Sequence, residues 1–241
     1  MDILILAAGF GTRLYPITIN LPKALIKVNN KPIIEHSIEK LNMLNPENIY
    51  ILSNNRFYPK FLDWLKSYNN PKIKLFNNNI NFEKEKLGAV RDLKNTLKLI
   101  NSEEVLVLAS DNLFEFDLRE LYELSRKTGK SSVILKEINN PELIKKYSNV
   151  LLDDKSRIIF FEEKPKVPCS NLCATSFYML KKHDIEKIKH HEFENYDNMG
   201  NLMEFLHKDS IVYGRLVTDF WIDIGSKEEL EKANEIFRNK S

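Results

Sequence analysis

A chain of 241 residues that is 43% hydrophobic carries enough apolar surface for one large α/β domain or two small ones. Its 36 basic and 34 acidic side chains leave a formal charge of +2, too weak a field to point to nucleic acid or a membrane surface, and no run of 18 apolar residues spans a bilayer. The only cysteines, Cys169 and Cys173, have no second pair or neighbouring histidine to complete a zinc site and read as two reduced thiols. Met1-Asp2 leads directly into a strand-like run, without a basic segment and long apolar stretch of secretory type, so the expected location is the cytoplasm.

In chain order, strand-length apolar runs at Ile3 to Ala8, Ile49 to Leu52, Ile73 to Phe76 and Val105 to Ala109 alternate with helical patterns near 33 to 42, 57 to 67 and 87 to 100. That alternation predicts a mainly parallel sheet with helices on both faces, and runs this apolar fit strands buried on both sides. The Asn-rich patch around Asn77-Asn78-Asn79 reads as a loop. After about residue 130 strands follow one another closely: Ser132 to Ile138, Asn149 to Leu152, Arg157 to Phe161 and Cys173 to Leu180, with Asp153-Asp154-Lys155-Ser156 as a turn. A helix over Met199 to His207, strands at Ile211 to Val217 and Phe220 to Ile224, and a closing helix from Ser226 to Phe237 complete the reading; Ser226 with Glu229 has the form of a capping box.

The chain has seven glycines, and two of them, Gly9 and Gly11, fall within three positions straight after the first strand. The stretch lacks the Gly-x4-Gly-Lys-Ser/Thr spacing of a Walker A loop. A dinucleotide fingerprint wants Gly or Ala three positions after the second glycine, where this chain has Leu14; an NAD-dependent reductase is the weaker competitor for that reason. Taken as it stands, the segment turns on Gly9 and Gly11 with its amides exposed and sets the Thr12 hydroxyl and Arg13 guanidinium beside them, a cradle for a polyphosphate. Pro22-Lys23 returns a point cation ten residues later. Asp111, at the carboxyl end of the strand over Val105 to Ala109, can hold Mg²⁺, and Asp223 can supply a second carboxylate. Lys164, before Pro165, can grip a phosphate; Gly88 either lets a nucleobase approach or merely opens a helix; Asn54 either reaches a nucleotide or caps a turn.

The run Leu6-Ala7-Ala8-Gly9-Phe10-Gly11-Thr12-Arg13 with Pro22-Lys23-Ala24-Leu25 resembles the signature of the sugar-phosphate nucleotidylyltransferases, or nucleotide-sugar pyrophosphorylases, particularly the short glucose-1-phosphate thymidylyltransferase-like members. The likeness continues in order at Leu87-Gly88-Ala89, Ser110-Asp111-Asn112-Leu113-Phe114, Phe161-Glu162-Glu163-Lys164-Pro165 and Trp221-Ile222-Asp223-Ile224-Gly225. It implies a Rossmann-like three-layer α/β/α fold with a mainly parallel mixed central sheet, in one nucleotidyltransferase domain over 1–241, with a nucleotide-binding half at 1–130 and a sugar-phosphate-binding half at 131–241. The implied reaction joins a nucleoside triphosphate, dTTP or UTP favoured, to a sugar 1-phosphate, giving NDP-sugar and pyrophosphate. The implied roles are catalytic for Arg13, Lys23 and Lys164; nucleotide-binding for Ala7, Ala8, Gly9, Gly11, Thr12, Asn54 and Gly88; and substrate-binding for Asn112, Glu163, Lys164 and Thr175. Asp111 and Asp223 are the implied ligands of the Mg²⁺ cofactor. A homo-oligomer is compatible with this family; nucleic acid and membrane are not expected partners.

Ser110 stands where many relatives have glycine, Thr175-Ser176 where they have Thr-Gly, and Glu83-Lys84-Glu85-Lys86 does not reproduce the base-binding stretch of the thymidylyltransferases, so sugar and base stay open. Two alternatives remain: a cytidylyltransferase acting on a non-sugar phosphate such as phosphocholine, and a catalytically silent regulatory homologue.

Overall fold

A computed structural model describes residues 1–193 and 198–238. In chain order it contains β1 (Asp2–Ala7), β2 (Lys27–Val28), β3 (Lys31–Pro32), α1 (Ile33–Leu41), β4 (Ile49–Ser53), α2 (Tyr58–Tyr68), β5 (Ile73–Asn77), α3 (Ala89–Leu97), β6 (Glu104–Ala109) and β7 (Asn112–Phe114). The second half continues with α4 (Leu118–Thr128), β8 (Ser132–Glu137), α5 (Pro141–Ile144), β9 (Ser148–Leu152), β10 (Ile158–Glu163), β11 (Leu172–Lys181), α6 (Lys182–His190), α7 (Met199–Asp209), β12 (Tyr213–Val217), β13 (Trp221–Asp223) and α8 (Lys227–Arg238). The chain forms two compact units, one holding residues 2–86, 109–116 and 219–241, the other residue 1, 87–108 and 117–218. Among the described residues no helix is long and apolar enough to cross a membrane.

In the first unit β1, β4 and β5 lie parallel, with Ile3 opposite Ile49 and Ile49 opposite Ile73. Five of the six residues of β1 are buried, so the strand carries apolar side chains towards both faces. Helix α1 buries Ile33, Ile34, Ile38 and Leu41, the i, i+1, i+5, i+8 stripe of an amphipathic helix, and each such side chain contributes about 1.5–3 kcal/mol when removed from water. The short antiparallel pair β7 and β13 sets Asn112 opposite Asp223. Leu14, Ile26, Val28, Ile33, Leu113, Ile224, Leu230 and Ala233 close a core beneath that pair, which fixes the base of the site described below.

In the second unit β11 pairs antiparallel with β6, β8 and β9, and β9 with β10, while β12 runs parallel to β8. Antiparallel pairing fits the close succession of strands after residue 130, since parallel neighbours need long crossovers. Three helices that the sequence analysis does not predict appear here: α4, α6 and the single-turn α5 over Pro141–Ile144. Helix α4 starts on Asp117, whose side chain accepts the Arg119 N–H, and ends on Gly129 in the left-handed conformation; both signals are local. Helix α6 buries Asp184, whose carboxylate accepts hydrogen bonds from Ser131 Oγ and Ser210 Oγ at 2.5 and 2.6 Å; its buried face is partly polar, so the apolar periodicity is weak.

Candidate active site

The first unit gathers the glycine loop, two cations and two carboxylates. Gly11 has φ 64°, the left-handed region, and a Cβ there would stand 3.1 Å from Thr18 Cγ2. The Thr18 hydroxyl donates to Gly11 O at 2.6 Å and clamps the turn. Gly9 is exposed, and a Cβ built on it meets no atom within 4 Å, so bare backbone faces open space beside Arg13, as a polyphosphate cradle requires. Thr12 and Arg13 lie in the single 3₁₀ turn Thr12–Leu14, with the Thr12 hydroxyl donating to Glu83 Oε1 at 3.4 Å. Asn54 is fully buried: Nδ2 donates to Ala8 O at 2.9 Å and Oδ1 accepts the Phe57 N–H at 2.9 Å. It therefore holds the start of the loop.

Pro22 is extended and delivers Lys23 into the turn Lys23–Leu25. Lys23 Nζ lies 2.5 Å from Asp111 Oδ2 and 3.9 Å from Asp223 Oδ1. Asp111 is carried past the end of β6 by the Ser110 N–H bond to Leu6 O, and the Ile224 N–H donates to Asp111 O, which ties the two carboxylate segments together. Asn112 is buried; its Nδ2 donates to Asp111 Oδ1 at 2.9 Å, and its Oδ1 accepts from Trp221 Nε1 at 2.7 Å. Its amide thus orients Asp111. Burial, then the Asp111 carboxylate, push the Asp223 carboxyl above the ordinary range, with Lys23 and Arg13 opposing and Glu229 reinforcing.

Asp223 Oδ1 is buried and has no hydrogen-bond partner among the described residues. A buried carboxylate oxygen without a donor, facing a second carboxylate, fits a divalent cation. Among the described residues no group of three or more His, Cys, Asp or Glu side chains could hold a metal, and a divalent cation on these two carboxylates would take its remaining ligands from phosphate and water.

The second unit holds the Glu163-Lys164 corner. Lys164 has φ 51°, and its N–H donates to Tyr147 O at 2.7 Å, which fixes this bend at the end of β10. The Glu163 N–H donates to Glu204 Oε1, and Glu204 Oε2 accepts from Asn201 Nδ2. A Cβ on Gly200 would lie 1.8 Å from Glu163 Oε2, so glycine in the first turn of α7 is what lets that carboxyl lie there. Burial pushes the Glu163 carboxyl up to about 7, Lys164 opposing and Glu204 adding to it. Thr175 is buried and its hydroxyl donates to Ile134 O at 2.9 Å, a bond that ties β11 to β8. Gly88, φ 89°, precedes α3, a backbone that favours glycine whatever approaches it. Burial, then the Glu163 carboxylate, push the Cys173 thiol up to about 12, which leaves it an inert thiol at neutral pH.

Glu204 and Gly200 are not singled out by the sequence, and Glu229 reads there only as part of a capping box with Ser226. Glycine within the helical pattern of 199–207 is the one local signal for Gly200. Glu163 makes a pH-dependent contribution of known sign. Between about 4.5 and 7 the folded protein binds a proton that the unfolded chain has released, so its contribution to stability falls as pH rises through that window. Glu163→Gln is expected to match wild type in thermal unfolding at pH 4.5 and to exceed it at pH 8 by on the order of 2 to 3 kcal/mol. An unchanged difference between the two pH values would refute the assignment.

Residues 3–240 match the family model for nucleotidyl transferases. The chain is 33% identical over 242 residues to the bifunctional protein GlmU of Methanocaldococcus jannaschii, covering 100% of this chain and 55% of that one. It is 29% identical over 240 residues to mannose-1-phosphate guanylyltransferase 1 of Arabidopsis thaliana, covering 95% of this chain and 62% of that one. The chain thus spans a little over half the length of these curated relatives. In fold it matches a Bacillus anthracis structure described as a glucose-1-phosphate thymidylyltransferase in complex with sucrose, with TM-score 0.86, 24% identity and coverage of 99% and 96%. It also matches a UDP-glucose pyrophosphorylase complexed with UDP-glucose, with TM-score 0.85, 22% identity and coverage of 100% and 99%. The α/β fold is the Rossmann-like one of these neighbours, and with a family match running from Ile3 to the penultimate residue the chain belongs to the nucleotidyl transferases.

Proposed function

We propose that the protein is a sugar-1-phosphate nucleotidylyltransferase that joins a nucleoside triphosphate to a sugar 1-phosphate and releases pyrophosphate. The observation that carries this reading is the Lys23 ammonium set against Asp111 and Asp223, in the same compact unit as the open backbone of Gly9. Two carboxylates are of no use to a phosphate-binding loop unless a cation comes with the phosphate, and a metal-bound triphosphate brings one. A silent homologue would have no need to keep Arg13, Lys23, Asp111, Asp223 and Lys164 together in one chain.

An oxygen of the sugar phosphate attacks the α-phosphorus; the bond to the β-phosphate oxygen breaks, and pyrophosphate leaves with the electron pair. The attacking group is already an anion, so no side chain needs to take a proton, and the enzyme acts by positioning and charge neutralisation. The amides of Gly9 and Gly11 and the Thr12 hydroxyl receive the triphosphate, and the Arg13 fork meets the charge that grows on the leaving pyrophosphate. Lys23 divides its ammonium between the two carboxylates and the triphosphate. Lys164 holds the acceptor phosphate and Glu163 a hydroxyl of the sugar. Asp111 and Asp223 would hold Mg²⁺, which would supply charge neutralisation to the reacting phosphates.

Pyrophosphate release with Mg²⁺ tests this reading, with dTTP and UTP first, then CTP, GTP and ATP, each against a panel of sugar 1-phosphates and phosphocholine. Release with one nucleotide and one sugar phosphate is the expected result. Release with phosphocholine alone moves the assignment to the non-sugar acceptor, and a protein that binds nucleotide but releases nothing with any pair overturns it.

A further inference from the structure

We propose that Glu229 is a positioning residue of the active site, holding Asp223 and Arg13 in register through the Gly225 peptide; this rests on the reading of Asp223 as a metal ligand and Arg13 as a phosphate contact. In an ordinary capping box the glutamate three residues into the helix takes the N–H of the cap residue itself, here Ser226. Half of that box is present, since Ser226 Oγ accepts the Glu229 N–H at 3.3 Å. The Glu229 carboxylate instead reaches one residue further back: Oε2 accepts the Gly225 N–H at 2.6 Å, a short charge-assisted bond. The cap is displaced by one residue towards the site.

That displacement brings three groups to one peptide. Gly225 is buried and lies two residues after Asp223, and the preceding Ile224 N–H is bonded to Asp111 O, so the turn carrying Gly225 sets the strand end from which the Asp223 carboxylate projects. A Cβ at Gly225 would stand 3.1 Å from Glu229 Oε2 and 3.3 and 3.4 Å from the Arg13 Nη atoms. Glycine is therefore what leaves room for both the Arg13 guanidinium and the Glu229 carboxylate where a side chain at 225 would stand.

The test separates the bond from the charge and from helix capping. Glu229→Gln keeps an acceptor for Gly225 and loses the charge; Glu229→Ala loses both; Ser226→Ala weakens the cap and leaves the Gly225 bond in place. Partners that orient metal ligands typically change metal affinity or activity by roughly 10- to 100-fold when removed. Mn²⁺ binding followed by electron paramagnetic resonance is expected to weaken by about tenfold or more in Glu229→Ala, with a comparable fall in kcat, and to stay within about threefold of wild type in Glu229→Gln and Ser226→Ala. Nuclear magnetic resonance of isotope-labelled protein adds a readout that needs neither metal nor turnover. The Asp223 carboxyl and Arg13 guanidinium signals should shift in Glu229→Ala and stay near their wild-type positions in Ser226→Ala. Wild-type Mn²⁺ affinity and unmoved Asp223 and Arg13 signals in a folded Glu229→Ala protein overturn the proposal, as does a Glu229→Gln protein as impaired as Glu229→Ala. A wild-type protein that neither binds Mn²⁺ nor releases pyrophosphate defeats the metal and enzyme readings instead, and the resonance shifts then decide the positioning role alone.

Discussion

Arg13→Ala is expected to lower kcat by about 10² to 10³-fold while leaving the folded protein nearly as stable as wild type. The size follows from where the guanidinium stands: on an exposed side chain in the turn after Gly11, against the Gly225 peptide and within the electrostatic reach of Asp223. Negative charge moves onto the leaving pyrophosphate as its bond to the α-phosphorus breaks, so a fixed cation there acts more strongly in the transition state than in the bound substrate, and its loss falls on kcat more than on KM. Arg13→Lys is expected to recover only part of the rate, because an ammonium lacks the planar fork that two phosphate oxygens can share. Stability changes little, within about 0.5 kcal/mol, because the side chain is exposed. Steady-state kinetics of pyrophosphate release decide the matter: an Arg13→Ala enzyme with near-normal kcat removes Arg13 from the leaving-group role.

Asp223→Asn is expected to move activity and stability in opposite directions. Turnover should fall by about 10²-fold or more, since an amide oxygen is a poor substitute for a carboxylate at a magnesium site. Stability without metal should rise, because the wild-type carboxylate is partly buried next to Asp111 and is held ionised only against those two costs. The sign follows from the raised folded-state affinity for a proton: from the ordinary carboxylate range up to the raised value the folded protein holds a proton that the unfolded chain has released, so the wild-type contribution falls as pH rises through that window. Asp223→Asn should therefore match wild type in acid and unfold at a higher temperature at pH 8. Adding Mg²⁺ with a non-hydrolysable triphosphate should close the gap by stabilising wild type alone. A variant less stable than wild type at pH 8 without metal contradicts the electrostatic account, and one with wild-type turnover contradicts the metal role. Both results together would mark an unfavourable arrangement of charge kept for the reaction, the usual form of a trade between stability and activity.

Much of the scaffold was legible because the information is local. The parallel strands β1 and β4 are apolar runs of strand length, and burial on both faces is what such runs require; β5, which reads Ile-Lys-Leu-Phe-Asn, departs from that expectation, with Lys74 exposed and Ile73 its one buried residue. The glycine loop was legible for the same reason: Gly11 adopts a backbone that other residues avoid, and Gly9 faces space that a side chain would occupy. Helix α4 is equally local: Asp117 caps its start and Gly129 ends it.

The rest was set by contacts between residues far apart in the chain. Lys23 and Asp111 are separated by 88 positions, and no periodicity connects them; their ion pair exists because β7 and β13 are held beside the turn after Pro22. Asn54 and Thr175 carry side chains that chemistry can use and that folding has already used, on Ala8 O and Ile134 O. Glu229 looked like half of a helix cap and takes instead the N–H of Gly225. By itself the sequence determined the class of the fold, the glycine turn after the first strand and the residue types that could neutralise a polyphosphate, because propensity, apolar period and glycine conformation act over a few residues. Only the tertiary structure decided which carboxylates share one ammonium, which polar side chains are spent on the backbone and which glycine makes room for Glu163, because burial and electrostatic coupling depend on distance in space and not on separation along the chain.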